Sequence, residues 1–164
     1  MKYLSTLSLV CIFLIASAFE RPYATVPSVN LKTLGGKTVN IQDYIKNDQL
    51  TIMSFWATWC SPCKRELDAI SEIYEEWQEE YNVELLAITI DDTRTVAKVP
   101  AMVETKGWEY TVLSDAKGDL KKALNFQTVP QTFLVNGKGE IVYTHSGYNP
   151  GDEYELEEEM KKNL

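Results

Sequence analysis

Cysteine and histidine are scarce in this sequence, with three cysteines and one histidine among 164 residues. So few thiols exclude a small scaffold stapled by several disulfides. Positive charge is also short. Lys and Arg number 16 against 24 Asp and Glu, a net charge of −8, and no basic patch stands out that would neutralise phosphates, so nucleic acid is not an expected partner. No apolar run reaches the roughly 20 residues that cross a bilayer as a helix. Repeats, low-complexity tracts and long linkers are missing as well, and the length fits one domain with a core of ordinary size. Much of the acid lies in 72–80 and 152–159. Those stretches read as solvated helix faces, with a docking surface for a basic partner as the alternative.

What is there begins at the N-terminus. Lys2 precedes an apolar run over 7–16 broken only by Ser8, followed by Ala16-Ser17-Ala18. This is the layout of a secretory signal peptide with a small-x-small cleavage site, cut between Ala18 and Phe19. Residues 1–18 are then a leader and 19–164 the mature domain, exported to the periplasm or cell envelope and soluble after cleavage. An uncleaved membrane anchor is the alternative, but the stretch ends after roughly 15 residues where about 20 are needed. A lipoprotein fits less well, since Cys11 follows the bulky Val10 and lies inside the run. Without Cys11 two cysteines are left, Cys60 and Cys63, spaced C-x-x-C. A disulfide closing so short a loop adds little chain-entropy stabilisation, so the pair points to chemistry rather than stapling.

Strands and helices alternate along the rest of the chain. Val29 and Leu31, a Gly35-Gly36 turn, then Val39 and Ile41 predict a hairpin, followed by a short helix near 42–46. Residues 50–55 are a compact apolar run of strand length, as in a buried central strand. Leu67, Ile70, Ile73, Tyr74, Trp77 and Tyr81 keep helical spacing across 61–80. A second buried strand is predicted over 83–90. Asp91 and Asp92 end it and can cap a helix over 93–106, which Pro100 must kink or shorten. A short strand at 110–113 and a short helix at 120–124 follow, then strands at 132–135 and 140–144 joined by Asn136-Gly137-Lys138-Gly139. A last helix over 153–162 carries acids first and Lys161 and Lys162 last, as the helix dipole prefers. The class is α/β, a mixed sheet covered on both faces.

If a strand ends at Trp59 and a helix starts at Ser61, Cys60 stands at the helix N-terminus. Unpaired N–H groups and the positive end of the dipole there favour the thiolate, the reactive form. Cys60 is then the candidate nucleophile, and Cys63, one turn in, the more buried thiol that resolves a mixed disulfide. Residues three apart on a helix have Cβ atoms about 5–6 Å apart, whereas a disulfide asks for about 3.5–4.5 Å. Closing the ring needs adjustment at the cap, and the bond is expected to form and break readily. Pro62 fixes one backbone angle in the ring and drops an N–H near the helix start, which biases the redox balance without blocking the helix.

The stretch Phe55-Trp56-Ala57-Thr58-Trp59-Cys60-Ser61-Pro62-Cys63-Lys64 resembles the active-site strand, turn and helix of thioredoxin-fold proteins, and Thr128-Val129-Pro130-Gln131-Thr132 resembles that fold's cis-proline loop. The leading hairpin, and the extra helix and strand between Thr93 and Leu113, are similar to the exported TlpA/ResA-like thiol-disulfide oxidoreductases. The resemblance covers nearly all of the mature chain. It implies a thioredoxin-like mixed β-sheet flanked by helices, with an N-terminal hairpin and a central helix-strand insertion. It also implies catalysis by Cys60 and Cys63, and a proton-handling role for Glu66, six residues after Cys60. A cis Pro130 would pack beside Cys60 and leave the Val129 backbone free to pair with an extended substrate. Trp59 and Pro62 would border that substrate, while Trp56 would pack inside. The implied substrates are protein disulfides or dithiols. Reducing power would come from a membrane electron-transfer protein of the DsbD/CcdA type, because such a compartment lacks a glutathione or thioredoxin pool. A monomer without a cofactor is expected.

Two positions depart from the pattern of these relatives. Ser54 stands six residues before the first cysteine, where thioredoxin has a buried aspartate, so that proton relay is missing and Glu66 is the candidate to take it over. Asp68 stands eight residues after it, where many relatives have a helix-kinking proline, which predicts a straighter first helix. Asp68 itself reads as exposed, with a second acid as the alternative. Other functions need other residues. A C-x-x-C pair can hold Cu(I), as in a metallochaperone, or half a zinc site. Zinc needs two more ligands, and the one histidine, His145, reads as a structural or surface residue of the last strand. Copper-delivering relatives of this fold use a wider cysteine spacing and a histidine near the loop that here reads Thr128-Val129-Pro130. A thiol peroxidase would want Thr-x-x-Cys at this helix, which Thr58-Trp59-Cys60 does not supply. No metal site is assigned. Mass spectrometry of the protein recovered from the cell envelope is expected to find Phe19 at the mature N-terminus; a chain that keeps Met1, or begins at Cys11, contradicts the leader.

Overall fold

The computed structural model describes residues 24–164, and the predicted leader, with Cys11 and the junction after Ala18, lies outside the described residues. In chain order the elements are strands β1 (Asn30–Thr33) and β2 (Thr38–Asn40), a 3-10 turn at Ile41–Tyr44, β3 (Leu50–Trp56), helices α1 (Ser61–Ser71) and α2 (Tyr74–Tyr81), and β4 (Val83–Thr89). A 3-10 turn at Val96–Lys98 leads into α3 (Val99–Lys106), then β5 (Thr111–Ser114), α4 (Asp119–Ala123), β6 (Gln131–Val135), β7 (Ile141–Ser146) and α5 (Asp152–Lys162). The strands form one mixed sheet in the order β2-β1-β5-β4-β3-β6-β7.

β3 is buried along its whole length, flanked by parallel β4 and antiparallel β6. Its side-chain alternation sorts two cores. Ile52 and Trp56 join Leu67, Ile70, Trp77 and Met160 on the face covered by α1, α2, α3 and α5. Met53 and Phe55 join Leu86, Leu113, Leu120 and Phe133 on the other. Ser54, between Ile52 and Trp56 in this alternation, faces the α1 side. The β1–β2 hairpin joins the sheet through antiparallel pairing of β1 with β5. The hairpin and the inserted strand therefore support each other at one side of the sheet.

The helical spacing across 61–80 turns out to serve two helices. Glu72 and Ile73 donate their N–H groups to Ala69 and Ile70, three residues back rather than four, and α2 resumes at Tyr74. Packing accounts for the break where local spacing does not. Leu67, Ile70, Tyr74 and Trp77 are all buried, and the Tyr74 hydroxyl accepts the Leu85 N–H of β4 at 2.9 Å, pinning the start of α2 to the sheet. Asp68 lies within unbroken α1. Its carboxylate pairs with Lys106 and accepts the Trp108 Nε1–H at 3.1 Å, so it clips α1 to the end of α3. α3 is shorter than 93–106, and Pro100 sits in its first turn, where the missing N–H has no intrahelical partner to lose.

Candidate active site

β3 delivers the chain into a short loop and α1 begins at Ser61, with Cys60 as its N-cap in an extended conformation. The Cys60 sulfur accepts the Cys63 N–H at 3.3 Å, the place a serine hydroxyl takes in an ordinary cap. Cys60 and Cys63 are joined as a disulfide, with Cα atoms 5.4 Å apart. Cys63 is fully enclosed and Cys60 nearly so, while the neighbouring Trp59 is 62% exposed. Pro62 falls in the first turn, which holds no acidic residue. The Lys64 ammonium donates to the Thr58 carbonyl at 3.0 Å, so local charge and helix dipole both favour a thiolate on Cys60 once the disulfide opens.

Asp91 holds this loop from beneath. Its fully buried carboxylate accepts the Thr58 N–H at 2.8 Å, the Thr58 hydroxyl at 2.7 Å and the Thr89 hydroxyl at 2.6 Å. Burial pushes its pKa up, but the hydrogen bonds from Thr89 and Thr58 outweigh burial and hold it below the ordinary aspartate value. Capping of the segment after β4 falls to Asp92 alone, whose Oδ1 accepts the N–H groups of Arg94 and Thr95.

One turn beyond Cys63, Glu66 lies on the same buried face of α1 as Cys63, Leu67 and Ile70. The Thr132 hydroxyl donates to Glu66 Oε1 at 2.6 Å, and the Ser54 hydroxyl lies 3.4 Å from Oε2. The β3–β6 register pairs Ser54 with Thr132, so one rung of the sheet supplies both. Burial pushes the Glu66 pKa up to about 7, against the opposing pull of these two hydroxyls and of His145.

The peptide bond between Val129 and Pro130 is cis. β6 starts one residue later at Gln131, which pairs with Phe55, so Val129 and Pro130 lie at the end of the sheet where β3 gives way to the cysteine loop. Pro130 is buried and Val129 half-buried. Among the described residues no hydrogen bond occupies the Val129 N–H or C=O. Also among the described residues, no group of three or more His, Cys, Asp or Glu side chains is arranged to hold a metal ion, and no helix is long and apolar enough to cross a membrane.

The structure thus gathers Cys60, Cys63, Trp59, Pro62, Val129 and Pro130 at one end of the sheet, with Glu66 beneath. Asp91 and Thr132 join them, and neither is among the site residues the sequence predicts. Carrying the alternation of β4 through Thr89 to Asp91 points that carboxylate inward, whereas Thr132 needs the β3–β6 register. His145 also belongs here, since β7 sets it opposite Thr132.

A family model described as the AhpC/TSA family matches residues 22–144. Sporulation thiol-disulfide oxidoreductase A of Bacillus subtilis is 31% identical over 147 residues, covering 88% of this chain and 87% of the relative. Thiol-disulfide oxidoreductase ResA of Bacillus thuringiensis is 27% identical over 136 residues, covering 83% and 75%. Among solved structures, an uncharacterized thioredoxin-like protein from Porphyromonas gingivalis matches with a TM-score of 0.76 at 43% identity, over 88% of this chain and 94% of that one. StoA from Bacillus subtilis matches with a TM-score of 0.63 at 27% identity, over 81% and 97%.

The raised Glu66 pKa links the site to stability. The folded protein binds this proton more tightly than the unfolded chain, so stability falls as pH rises from 4.5 to about 7, by on the order of 3 kcal/mol. Denaturant unfolding of the disulfide form across that window is expected to show a steeper loss for the native protein than for Glu66→Gln, whose amide has no proton to lose. Equal slopes contradict the assignment.

Proposed function

This chain belongs to the AhpC/TSA family and is a thiol-disulfide oxidoreductase of thioredoxin-like fold. On that premise we propose that it is exported behind a cleaved leader at 1–18, folds as one domain over 19–164, and reduces protein disulfides outside the cytoplasm. The observation that carries this reading is the contrast between its two sulfurs. Cys60 caps a helix N-terminus beside exposed Trp59, while Cys63 is enclosed one turn from Glu66.

In the reduced protein the Cys60 thiolate attacks a substrate disulfide and forms a mixed disulfide, releasing the first substrate sulfur. Cys63 then gives its proton to the Glu66 carboxylate and attacks Cys60, and the second substrate sulfur leaves with the electron pair. The disulfide form of the protein is the product of this half-cycle. Trp59 and Pro62 border the substrate. The unoccupied N–H and C=O of Val129, next to Pro130, support pairing with an extended substrate strand. Asp91 keeps the cysteine loop in register while bonds to sulfur change. A membrane electron-transfer protein of the DsbD/CcdA type restores the dithiol.

Cys60→Ser is expected to abolish reduction of insulin, and Cys63→Ser to accumulate mixed disulfides with client proteins. Equal retained activity in both variants sinks the scheme. Direction is tested by the reduction potential. A reductase is expected to lie near the thioredoxin value of about −270 mV, and a value near the about −120 mV of a strong oxidant such as DsbA contradicts it.

A further inference from the structure

The rung that supports Glu66 continues past β6. Ser54 of β3 pairs with Thr132 of β6, and Thr132 pairs with His145 of β7. The three side chains form a row across the sheet on the face that α1 and α5 cover. Glu66 bonds to the first two, and Asp152 of α5 meets the third, with His145 Nε2 3.0 Å from Asp152 Oδ2. His145 Nδ1 lies 3.3 Å from the Tyr143 hydroxyl, which donates to Glu155 at 3.1 Å. A cavity of about 10 Å³ touches Glu66, Thr132, Tyr143, His145 and Asp152 together, about the least volume that holds one water, and its walls carry the polar partners a water needs. The His145 and Asp152 side chains are 25% and 21% exposed, whereas Glu66 is 5% exposed. The row therefore leads from an enclosed carboxyl to solvent.

We propose that His145, oriented by Asp152, is the outlet through which Glu66 exchanges its proton with solvent during turnover. The inference rests on the reading of Glu66 as the acceptor of the Cys63 proton. In the resolving step the Cys60–Cys63 bond forms as the Cys60–substrate bond breaks. Two electrons pass to the substrate, whose departing thiolate takes a proton from solvent, and the Cys63 proton stays on Glu66. Glu66 must lose that proton before it can serve again. One water in the cavity carries it to His145, which its 3.0 Å contact with Asp152 Oδ2 holds in place, and His145 releases the proton outward. When the disulfide is reduced again, the same path runs in reverse and returns a proton to Cys63.

The other titratable groups around Glu66 do not offer this route. The Tyr110 hydroxyl is committed to the Leu67 carbonyl at 2.8 Å, and that of Tyr148 to Glu153 at 2.9 Å. Burial raises the pKa of Tyr110, Tyr143 and Tyr148 above the ordinary tyrosine value. Glu153 also lines the cavity but accepts from Tyr148 and from the Gly151 N–H. His145 is the one imidazole in the sequence, a ring that can accept a proton at one nitrogen while giving one up at the other.

The resolving step can be read alone by mixing the reduced protein with dithio-bis-nitrobenzoate just below neutral pH, where Glu66 begins largely protonated and must empty through His145 before it can take the Cys63 proton. Cys60 releases one chromophore on attack, and Cys63 releases the second when it closes the disulfide. His145→Asn is expected to slow the second phase at least about tenfold near neutral pH, in keeping with loss of a proton-transfer group, and to leave the first phase unchanged. Asp152→Asn, which keeps the imidazole but not its charged partner, is expected to slow the same phase by less. Added imidazole should restore the second phase in His145→Ala. A second phase with native rate and pH profile in His145→Asn, or in Asp152→Asn should the first variant not fold, overturns the outlet. If Glu66→Gln is slow in that comparison, the acceptor reading survives; if Glu66→Gln is also native-like, that reading fails as well.

Discussion

Enclosing the Glu66 carboxyl between α1, β3 and β6 requires hydroxyls at two places that would otherwise be apolar, Ser54 on the central strand and Thr132 on its neighbour. Their neighbours on the same face, Ile52, Trp56 and Leu134, are fully enclosed apolar side chains. A carboxyl in that setting is held by little more than one short hydrogen bond, so its charge is costly and its proton is retained to near neutral pH. The register of β6 against β3 and the entry of α1 after Cys60 both have to be right for the two hydroxyls and the carboxyl to meet. The chemistry at the end of the sheet therefore depends on strand pairing in its middle.

Two of the three buried carboxyl side chains among the described residues, Asp91 and Glu66, meet opposite fates, and they differ in their donors. Asp91 receives a backbone N–H and two hydroxyls at 2.6–2.8 Å, which keeps it ionised and makes it an anchor. Glu66 receives one close hydroxyl and one distant one, which leaves it poised to gain or lose a proton. Groups of the same type whose surroundings push their pKa values apart divide the work of a site between them. Here Asp91 fixes the loop that leads to Cys60, and in the proposed cycle Glu66 serves Cys63. The Cys60 sulfur accepts the Cys63 N–H at the helix start, and Lys64 braces the loop before it through the Thr58 carbonyl, so the two cysteines draw on different physical supports.

The parts of this arrangement that are local were legible in the sequence. The C-x-x-C spacing, the turn before it and the apolar strand leading into it lie within one continuous stretch, and period alone separates the strands from the helices around them. Glu66 was legible through family resemblance, and the spacing Cys63, Glu66, Leu67, Ile70 also places it on an inward helix face. The rest depends on long-range pairing. His145 reads as an ordinary strand residue until β7 is set against β6, and Thr132 until β6 is set against β3. Asp91 and Asp92 look interchangeable as caps, and the sheet decides which of them turns inward. The break between α1 and α2 has no proline or glycine to announce it, because it is fixed by Tyr74 reaching β4. Asp68 likewise acquires its role only when Lys106 and Trp108 arrive from α3 and the loop after it.

The central claim is that Glu66 is a proton carrier tuned by enclosure rather than a charged structural acid, and its own titration tests that most directly. Following the side-chain carboxyl carbon of Glu66 by NMR in the disulfide form is predicted to give a midpoint of about 7. A midpoint near the ordinary 4.5 would contradict the account, because the carboxyl would then be ionised throughout the neutral range and have no proton to exchange with Cys63.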